Sequence, residues 1–357
     1  MTRNVHHSII YGGEHILIDD KEWRLLSHLK RAWTIRELSR LSGIPYSTVS
    51  KVLERLKRFA KFKFTVNLRE AGLISLHVFL PGGSAVEPPP YTLQKIDLEG
   101  RQRITMLTAL IPPSLAALYL ESFTEEPLAV VRGYEVHYWE PASPFSVYEE
   151  GRLKPCYSFY ENPALYSAPV EVYSGNVRAP DKVDLVIISM KLADPFMRPG
   201  TVVNIAARFD PELPELSNQT LSYHTVHHVR ERLWAGNAVC FCLEKFKVPR
   251  RVFYLHGRKA PMVARMIVKL PGFMYAAVDV DSAVVVGNPL CAYFEHLYRL
   301  FIDLGVELEL GDLVADVKSR VNYVPMLWRN TEKRRWIWPD DPPMQASGTL
   351  FEEAEYP

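Results

Sequence analysis

Residues 41–59 read LSGIPYSTVSKVLERLKRF, a turn followed by a helix-forming segment. Gly43 suits the left-handed backbone conformation that ends a helix, and Pro45 suits the opening of the next one. A helix is predicted from Tyr46 to about Phe59, because apolar residues recur there at helical spacing. That apolar face consists of Val49, Val52, Leu53 and Leu56. The segment therefore predicts the turn and the last helix of a helix-turn-helix unit.

The flanking residues complete this unit. An aspartate at position 19 or 20 caps a first predicted helix that runs to about Ala32, and Thr34 caps a second one from Ile35 to Leu41. Phe62–Val66 then alternates apolar and polar residues, as a half-buried strand does. Three helices followed by a strand predict a winged helix-turn-helix domain.

The same motif returns in the second half of the chain. Tyr46–Leu56 aligns without gaps with Tyr223–Leu233, and seven of the eleven positions are identical. The match extends upstream, where Asp20-Lys21 answers Asp181-Lys182, and downstream, where Phe62–Val66 answers Val239–Leu243. Self-similarity at a fixed offset indicates an internal repeat. We therefore predict two homologous halves that meet near residues 176–180.

Each half continues with alternating strand and helix patterns. In the second half the predicted order is βαββαβ, the ferredoxin-like unit. Its elements are a strand at Val252–Leu255, a helix at Ala260–Leu270, strands at Met274–Val280 and Ala283–Val286, a helix at Pro289–Leu304 and a strand at Val306–Leu310. The first half reproduces only βαββ, at Leu73–Leu80, Arg101–Leu110, Leu115–Phe123 and Leu128–Trp139.

The predicted fold class is α+β, with two winged helix-turn-helix domains that are each followed by a ferredoxin-like α/β module. The predicted segments are a first winged helix-turn-helix at 1–70, an incomplete ferredoxin-like module at 71–176, a degenerate second winged helix-turn-helix at 177–247, a second ferredoxin-like module at 248–330, and a basic-aromatic arm with an acidic tail at 331–357.

A winged helix joined to a ferredoxin-like module resembles the Lrp/AsnC group of prokaryotic transcription regulators. The resemblance rests on residues 41–59 as motif and on most of the chain as architecture. It implies duplex DNA as partner, a small-molecule effector such as an amino acid, and a dimer surface on the ferredoxin-like module. Members are usually one such unit of about half this size that dimerises, so this chain resembles an internal pseudo-dimer. Association into a homo-oligomer is a separate expectation.

Charge is distributed unevenly along the chain. The net charge is only +1, yet residues 19–63 hold twelve Lys/Arg against five Asp/Glu, a local charge of +7. Residues 180–247 hold eight of each, and the tail from Pro339 to Pro357 has five acids with no Lys or Arg. Only the N-terminal copy therefore has the cationic surface that phosphate contacts require.

The candidate DNA-binding residues lie in this basic segment. Tyr46, Ser47, Ser50 and Lys51 fall opposite the apolar face and are predicted to face the major groove. The residues predicted to contact the flanking phosphates are Arg55, Lys57, Arg58, Lys61 and Lys63. On the second helix, Arg36 and Arg40 are predicted to contact the DNA backbone. The alternative is a solvated basic face of a helical bundle.

The second copy lacks this pattern. His224, His227 and His228 replace Ser47, Ser50 and Lys51, and Cys240 and Cys242 replace Lys63 and Thr65. A structural or subunit-contact role is expected for it. Zinc accepts histidine and cysteine ligands, but alternate cysteines in a strand are more often buried small residues, so we expect no metal.

The remaining sequence motifs bear on alternative functions. No nucleotide-binding, metalloprotease or serine-hydrolase motif occurs, so neither an enzyme nor a cofactor is expected. Sirohaem decarboxylases resemble paired Lrp-type units, but GYEVHYWEP at residues 133–141 is a loose match to their signature. A protein–protein adaptor of the transcription machinery is a further alternative.

Two sequence observations bear on partners and location. The arm Trp328–Trp338 interleaves cations and aromatics, which suits either nucleic-acid stacking or, as we favour, packing of its tryptophans on the body. No apolar run reaches the length of a membrane span and no signal peptide is recognisable, so no membrane partner and a cytoplasmic location are expected.

Overall fold

A computed structural model describes residues 10–11, 15–82, 87–157, 162–174, 178–211, 213 and 216–345. The chain is mixed α+β, with helices and antiparallel sheets. It forms two compact units, each built from three stretches of sequence. The first unit comprises Met1–Phe62, Val136–Pro169 and Ala238–Val314, and the second comprises Lys63–Glu135, Val170–Asn237 and Ala315–Pro357. The acidic residues near the C-terminus, Glu352, Glu353 and Glu355, lie outside the described residues.

The helices, in chain order, are α1 (Asp20–Leu29), α2 (Ile35–Ser42), α3 (Tyr46–Lys57), α4 (Leu68–Ala71), α5 (Ala116–Glu121), α6 (Lys182–Ala193), α7 (Pro199–Phe209), α8 (Asn218–Tyr223), α9 (Ala260–Ile267) and α10 (Phe294–Leu304). A π-helix, His224–Leu233, directly continues α8. No described helix is long and apolar enough to cross a membrane.

The strands are β1 (Ile10–Tyr11), β2 (His15–Leu17), β3 (Ala60–Val66), β4 (Ile74–Pro81), β5 (Thr92–Glu99), β6 (Arg103–Ile111), β7 (Ala129–Gly133), β8 (Glu135–Tyr138), β9 (Ser146–Glu149), β10 (Arg152–Pro155), β11 (Trp234–Phe241), β12 (Arg251–His256), β13 (Phe273–Val278), β14 (Ser282–Gly287), β15 (Leu313–Asn322), β16 (Thr331–Glu332) and β17 (Arg335–Trp336).

The three N-terminal helices begin and end where short polar residues and glycine provide caps. Asp19 and Glu22 form a reciprocal capping box at the start of α1. The Thr34 hydroxyl accepts the Glu37 N–H at the start of α2. Gly43 ends α2 in the left-handed conformation, with φ 65°. These devices fix the turn that precedes α3.

The strand that follows α3 pairs with the strand that follows the π-helix. β3 pairs with β11 as a two-stranded sheet. Backbone hydrogen bonds frame the pair, from Cys242 N–H to the Phe59 carbonyl (2.7 Å) and from Asn67 N–H to the Leu233 carbonyl (2.8 Å). The strand predicted as a wing thus has its partner almost 180 residues away in sequence.

Each unit contains an antiparallel sheet. In the first unit the strand order is β15-β12-β14-β13-β8, with β15 contributing Leu313 and Val314. In the second unit the order is β7-β4-β6-β5-β15. When β4–β7 and β12–β15 are each numbered from one to four, both sets have the order 4-1-3-2. Helices α9 and α10 connect the strands in the later set, and α5 makes the last connection in the earlier one.

Several predicted elements are wrong. Arg101–Leu110 was expected to be a helix but lies mainly in strand β6, and Leu115–Phe123 was expected to be a strand but holds α5. Thr92–Glu99 is the strand β5, which was not predicted from the sequence. The last strand of the second half is β15 rather than Val306–Leu310, of which Glu307 makes only an isolated bridge to His256. Short apolar runs explain these errors, because their periodicity fits strand and helix alike.

The C-terminal arm packs its tryptophans, as expected. Trp328 is fully buried, and its indole N–H donates to Oδ2 of Asp210 at 3.1 Å. Trp338 lies 6.3 Å from Tyr91 and 6.5 Å from Tyr119, measured between ring centroids. The arm's cations are exposed, namely Arg329, Lys333, Arg334 and Arg335.

Candidate nucleic-acid interface

The solvent-facing side of α3 carries polar side chains. Tyr46, Ser47 and Lys51 are exposed and Ser50 is half-buried. The opposite side is in the core, where Val49, Val52, Leu53 and Leu56 are buried. Hydroxyl and ammonium groups can bond base edges and phosphates, so this face has the chemistry that groove recognition needs.

Helix α2 adds two cations to the same unit. Arg36 and Arg40 are both exposed. Neither makes a hydrogen bond or ion pair with any residue that the structure describes, and the same holds for Lys51. These three side chains are therefore not paired with any acid that the structure describes.

Arg55 differs from the other predicted phosphate contacts, because it is already paired. Its Nε lies 2.9 Å from Oε1 of Glu22, and its Nη2 lies 2.5 Å from Oδ2 of Asp19. Burial raises the pKa of Glu22, and the charge of Arg55 opposes that rise. Arg55 therefore links α3 to the first turn of α1, and its charge is largely neutralised by two carboxylates.

The other predicted phosphate contacts lie on either side of the unit boundary. Lys57 forms an ion pair with Glu54 at 2.8 Å, and Arg58 and Lys61 are exposed. Lys63 is exposed and belongs to the second unit. Along β3 the lysines alternate with the buried Phe62 and Phe64, so both lysines are on the solvent side of the strand.

A groove of about 410 Å³ lies beside α3. It is lined by Asp19, Asp20, Lys21, Thr48, Lys51, Val52 and Arg55. The two aspartates are engaged, since Tyr148 donates its hydroxyl hydrogen to Asp20 at 2.5 Å and Arg55 pairs with Asp19. The acidic wall of this groove lowers the positive potential that the sequence alone suggested for the N-terminal unit.

The second copy of the motif has a different helix. Tyr223–Leu233 aligns with an α-helix, yet from His224 onward it is π-helical. Its buried residues are Thr225, Val229 and Leu233, spaced four apart. Val226 is 36% exposed, although it aligns with the fully buried Val49. The wider helix therefore turns a different set of side chains toward the core.

This rotation brings two histidines against acids at the start of α6. Nδ1 of His224 lies 2.9 Å from Oδ1 of Asp184, and Nδ1 of His228 lies 3.2 Å from Oδ2 of the same carboxylate. Asp181, the N-cap of α6, lies 3.4 Å from His224 Nδ1. Asp181, Asp184, His224 and His228 are the one group of described residues whose ligand atoms could hold a metal ion together.

The cysteines do not belong to that group. Cys240 and Cys242 are buried in the first unit, where their thiols face the carbonyls of Met274 and Cys240. His227 is half-exposed and lies 3.5 Å from Glu231. Neither Asp181 nor Asp184 was predicted as a site residue from the sequence. Their signal was an Asp-x-x-Asp spacing at a helix start, opposite a His-x-x-x-His spacing on one helix face.

Comparisons of this chain with protein-family models, with curated proteins and with solved structures return no match.

Proposed function

We propose that this chain is a DNA-binding transcriptional regulator that contacts duplex DNA through the exposed face of α3. The observation that carries the proposal is the arrangement of Tyr46, Ser47, Ser50 and Lys51 on the solvent side of a helix that follows a Gly43 turn. A helix so presented can enter a major groove with its hydroxyl groups toward the bases.

The proposed architecture is an internally duplicated winged helix-turn-helix with a ferredoxin-like module, like that of the Lrp/AsnC group. Two observations support it. Three helices and a strand precede each sheet set, as α1–α3 with β3 and as α6–α8 and the π-helix with β11. The strand order 4-1-3-2 occurs in both β4–β7 and β12–β15, although the described residues between β4 and β5 hold no counterpart of the first connecting helix.

The phosphate contacts of this regulator are best assigned to cations without an internal partner. Lys51, Arg36 and Arg40 meet that condition among the described residues. Arg55 does not, because it pairs with Asp19 and Glu22. We therefore assign Arg55 to holding α3 in place rather than to binding phosphate.

An effector site and self-association complete the proposal. A cavity of about 310 Å³ in the second unit is lined by Tyr91, Pro325 and Trp338 among others. Pockets of this size, with aromatic walls and a few polar groups, suit small metabolites. Thermal-shift screening with amino acids, repeated on Trp338→Ala, tests the effector, and light scattering tests the homo-oligomer.

Duplex binding at several salt concentrations tests the central claim. Fluorescence anisotropy with labelled random-sequence and genomic duplexes compares the parent with Lys51→Ala. Loss of one phosphate contact should weaken binding several-fold and reduce the slope of log affinity against log salt by about 0.9. Lys259→Ala is the matched control. It removes an exposed lysine that does not belong to helices α1–α3, and it should bind as the parent does.

Two results would contradict the assignment. If Lys51→Ala kept the parental affinity and salt slope, α3 would not be the contact surface. If the parent bound no duplex even at low salt while a protein partner copurified with it, the adaptor alternative would replace the regulator.

A further inference from the structure

The second unit contains four side chains from two elements that converge on one point. Asp181 caps α6 and Asp184 lies in its first turn, while His224 and His228 lie one turn apart on the π-helix. The two imidazole rings have centroids 4.6 Å apart. Both direct the Nδ1 atom at the carboxylates rather than at solvent. We propose that these four residues form a zinc(II) site.

The four distances between histidine and aspartate donor atoms lie near the value expected for tetrahedral coordination. Zinc bound by nitrogen and oxygen at about 2.0–2.1 Å needs ligand atoms about 3.3–3.4 Å apart. His224 Nδ1 lies 3.4 Å from Asp181 and 2.9 Å from Asp184. His228 Nδ1 lies 3.6 Å from Asp181 and 3.2 Å from Asp184. All four donor atoms lie within 4.8 Å of one another.

The charge and the donor chemistry select the kind of cation. Two carboxylates and two neutral imidazoles carry a charge of −2, which a divalent ion balances. The side chain of Asp184 is only 3% exposed, so balancing the negative charge matters most at this carboxylate. Calcium and magnesium prefer oxygen donors in larger shells, whereas two imidazoles with two carboxylates in a four-coordinate shell favour zinc.

The site is closed, because four protein side chains fill a tetrahedral shell. Zinc would then act structurally, tying the first turn of α6 to the π-helix. This goes beyond the proposed DNA contact. It gives the second three-helix group a metal-stabilised scaffold where the N-terminal copy has the ion pairs of Arg55.

Metal binding by the full-length chain tests the proposal. After chelator treatment and dialysis, titration calorimetry with zinc chloride should give one zinc per chain. Cobalt(II) in place of zinc should produce the intense visible bands of tetrahedral coordination. His228→Gln and Asp181→Asn should each weaken zinc affinity by at least about 100-fold. The matched control is His227→Gln, which removes a half-exposed histidine between the two ligands and should bind as the parent does.

The competing structure is a metal-free hydrogen-bonded cluster of the same side chains. Zinc binding by the parent at well below one equivalent would establish it and overturn the proposal. So would zinc affinity that survives both ligand substitutions, or the weak cobalt bands of octahedral coordination. Circular dichroism checks that His228→Gln folds. If it does not fold, zinc affinity is compared between the parent and Asp181→Asn. The side chain of Asp181 is 25% exposed, so its replacement should disturb the fold less.

Discussion

Nε of Arg55 lies 2.9 Å from Oε1 of Glu22 and so joins the third helix to the first turn of the first helix. The second half makes the equivalent connection with other chemistry, since Nδ1 of His224 lies 2.9 Å from Oδ1 of Asp184. In both halves the acid occupies the third position of the first helix, behind an aspartate cap. The acidic cap is common to both, and the residue that pairs with the acid has changed from arginine to histidine.

Arg55→Ala should lower the free energy of unfolding by about 1–3 kcal/mol at neutral pH, because the carboxylate of Glu22 is only 7% exposed and loses its charged donor. Urea denaturation followed by fluorescence measures the change. Lys51→Ala, one turn earlier on the same helix and exposed, should leave stability almost unaltered. Equal losses in the two variants would show that the Arg55 ion pairs do not stabilise the fold.

The cost of removing Arg55 should depend on pH in a defined direction. Burial raises the pKa of Glu22, so its contribution to stability is present at low pH and is lost as the pH rises through the folded-state pKa. Without Arg55 that pKa rises further. The difference between Arg55→Ala and the parent should therefore be largest at neutral pH and should shrink below the pKa of Glu22. A difference that grew on acidification would contradict this assignment.

Gly43→Ala should destabilise the N-terminal unit by about 1–2 kcal/mol, because φ at this position is 65°. Gly43→Asn should cost less, since asparagine tolerates the left-handed region. Gly200 offers the opposite case, with a helical position in α7 and no atom near an added Cβ. Gly200→Ala should raise stability by up to about 1 kcal/mol. Thermal and urea unfolding of the three variants checks the signs.

His77 should make the protein sensitive to acid. It is fully buried in β4, and burial lowers its pKa to about 3 from an ordinary 6.5. A histidine with a lowered folded-state pKa binds protons mainly when unfolded, so stability falls as the pH drops below about 6.5, by about 1.4 kcal/mol per pH unit. His77→Leu should flatten this decline.

Urea midpoints between neutral pH and mildly acidic pH measure the slope. Replacement of the partly exposed His256 by glutamine is the control, and it should keep the parental slope because that ring is not buried in the core. Parallel declines in His77→Leu and the parent would mean that other groups dominate the acid response.

Trp328→Phe should destabilise the second unit by about 1–3 kcal/mol, because it removes the hydrogen bond to Asp210 and leaves a gap beside a fully buried ring. Trp338→Phe, at a half-buried position of the same arm, should cost less. Neither variant should alter duplex affinity if the arm serves packing. A fall in affinity with unchanged stability would instead favour base stacking by the arm.

The elements that could be predicted from the sequence are those with strong local signals. The Gly43 turn, the amphipathic pattern of α3 and the caps at Asp19 and Thr34 act over a few residues, and the structure has all of them. The strand–helix order around β12–β14 was predicted for the same reason.

The remainder depends on contacts distant in sequence. RITMLTALI at residues 103–111 is apolar at six of nine positions, and their spacing does not distinguish a buried strand from a helix. The π-helix at His224–Leu233 has a sequence that repeats an α-helical one. Asp184 and His224 are forty residues apart, and only the fold brings them within bonding distance.

The composition of both compact units limits how early either one can fold while the chain is being synthesised. The first unit needs residues as far along as Val314, and the second begins at Lys63 but draws on segments beyond Ala315. A ribosome making this chain must therefore deliver nearly all of it before either unit can close. Helices such as α1–α3 can form and pack on one another early, but the sheet of each unit is completed only when the late strands arrive.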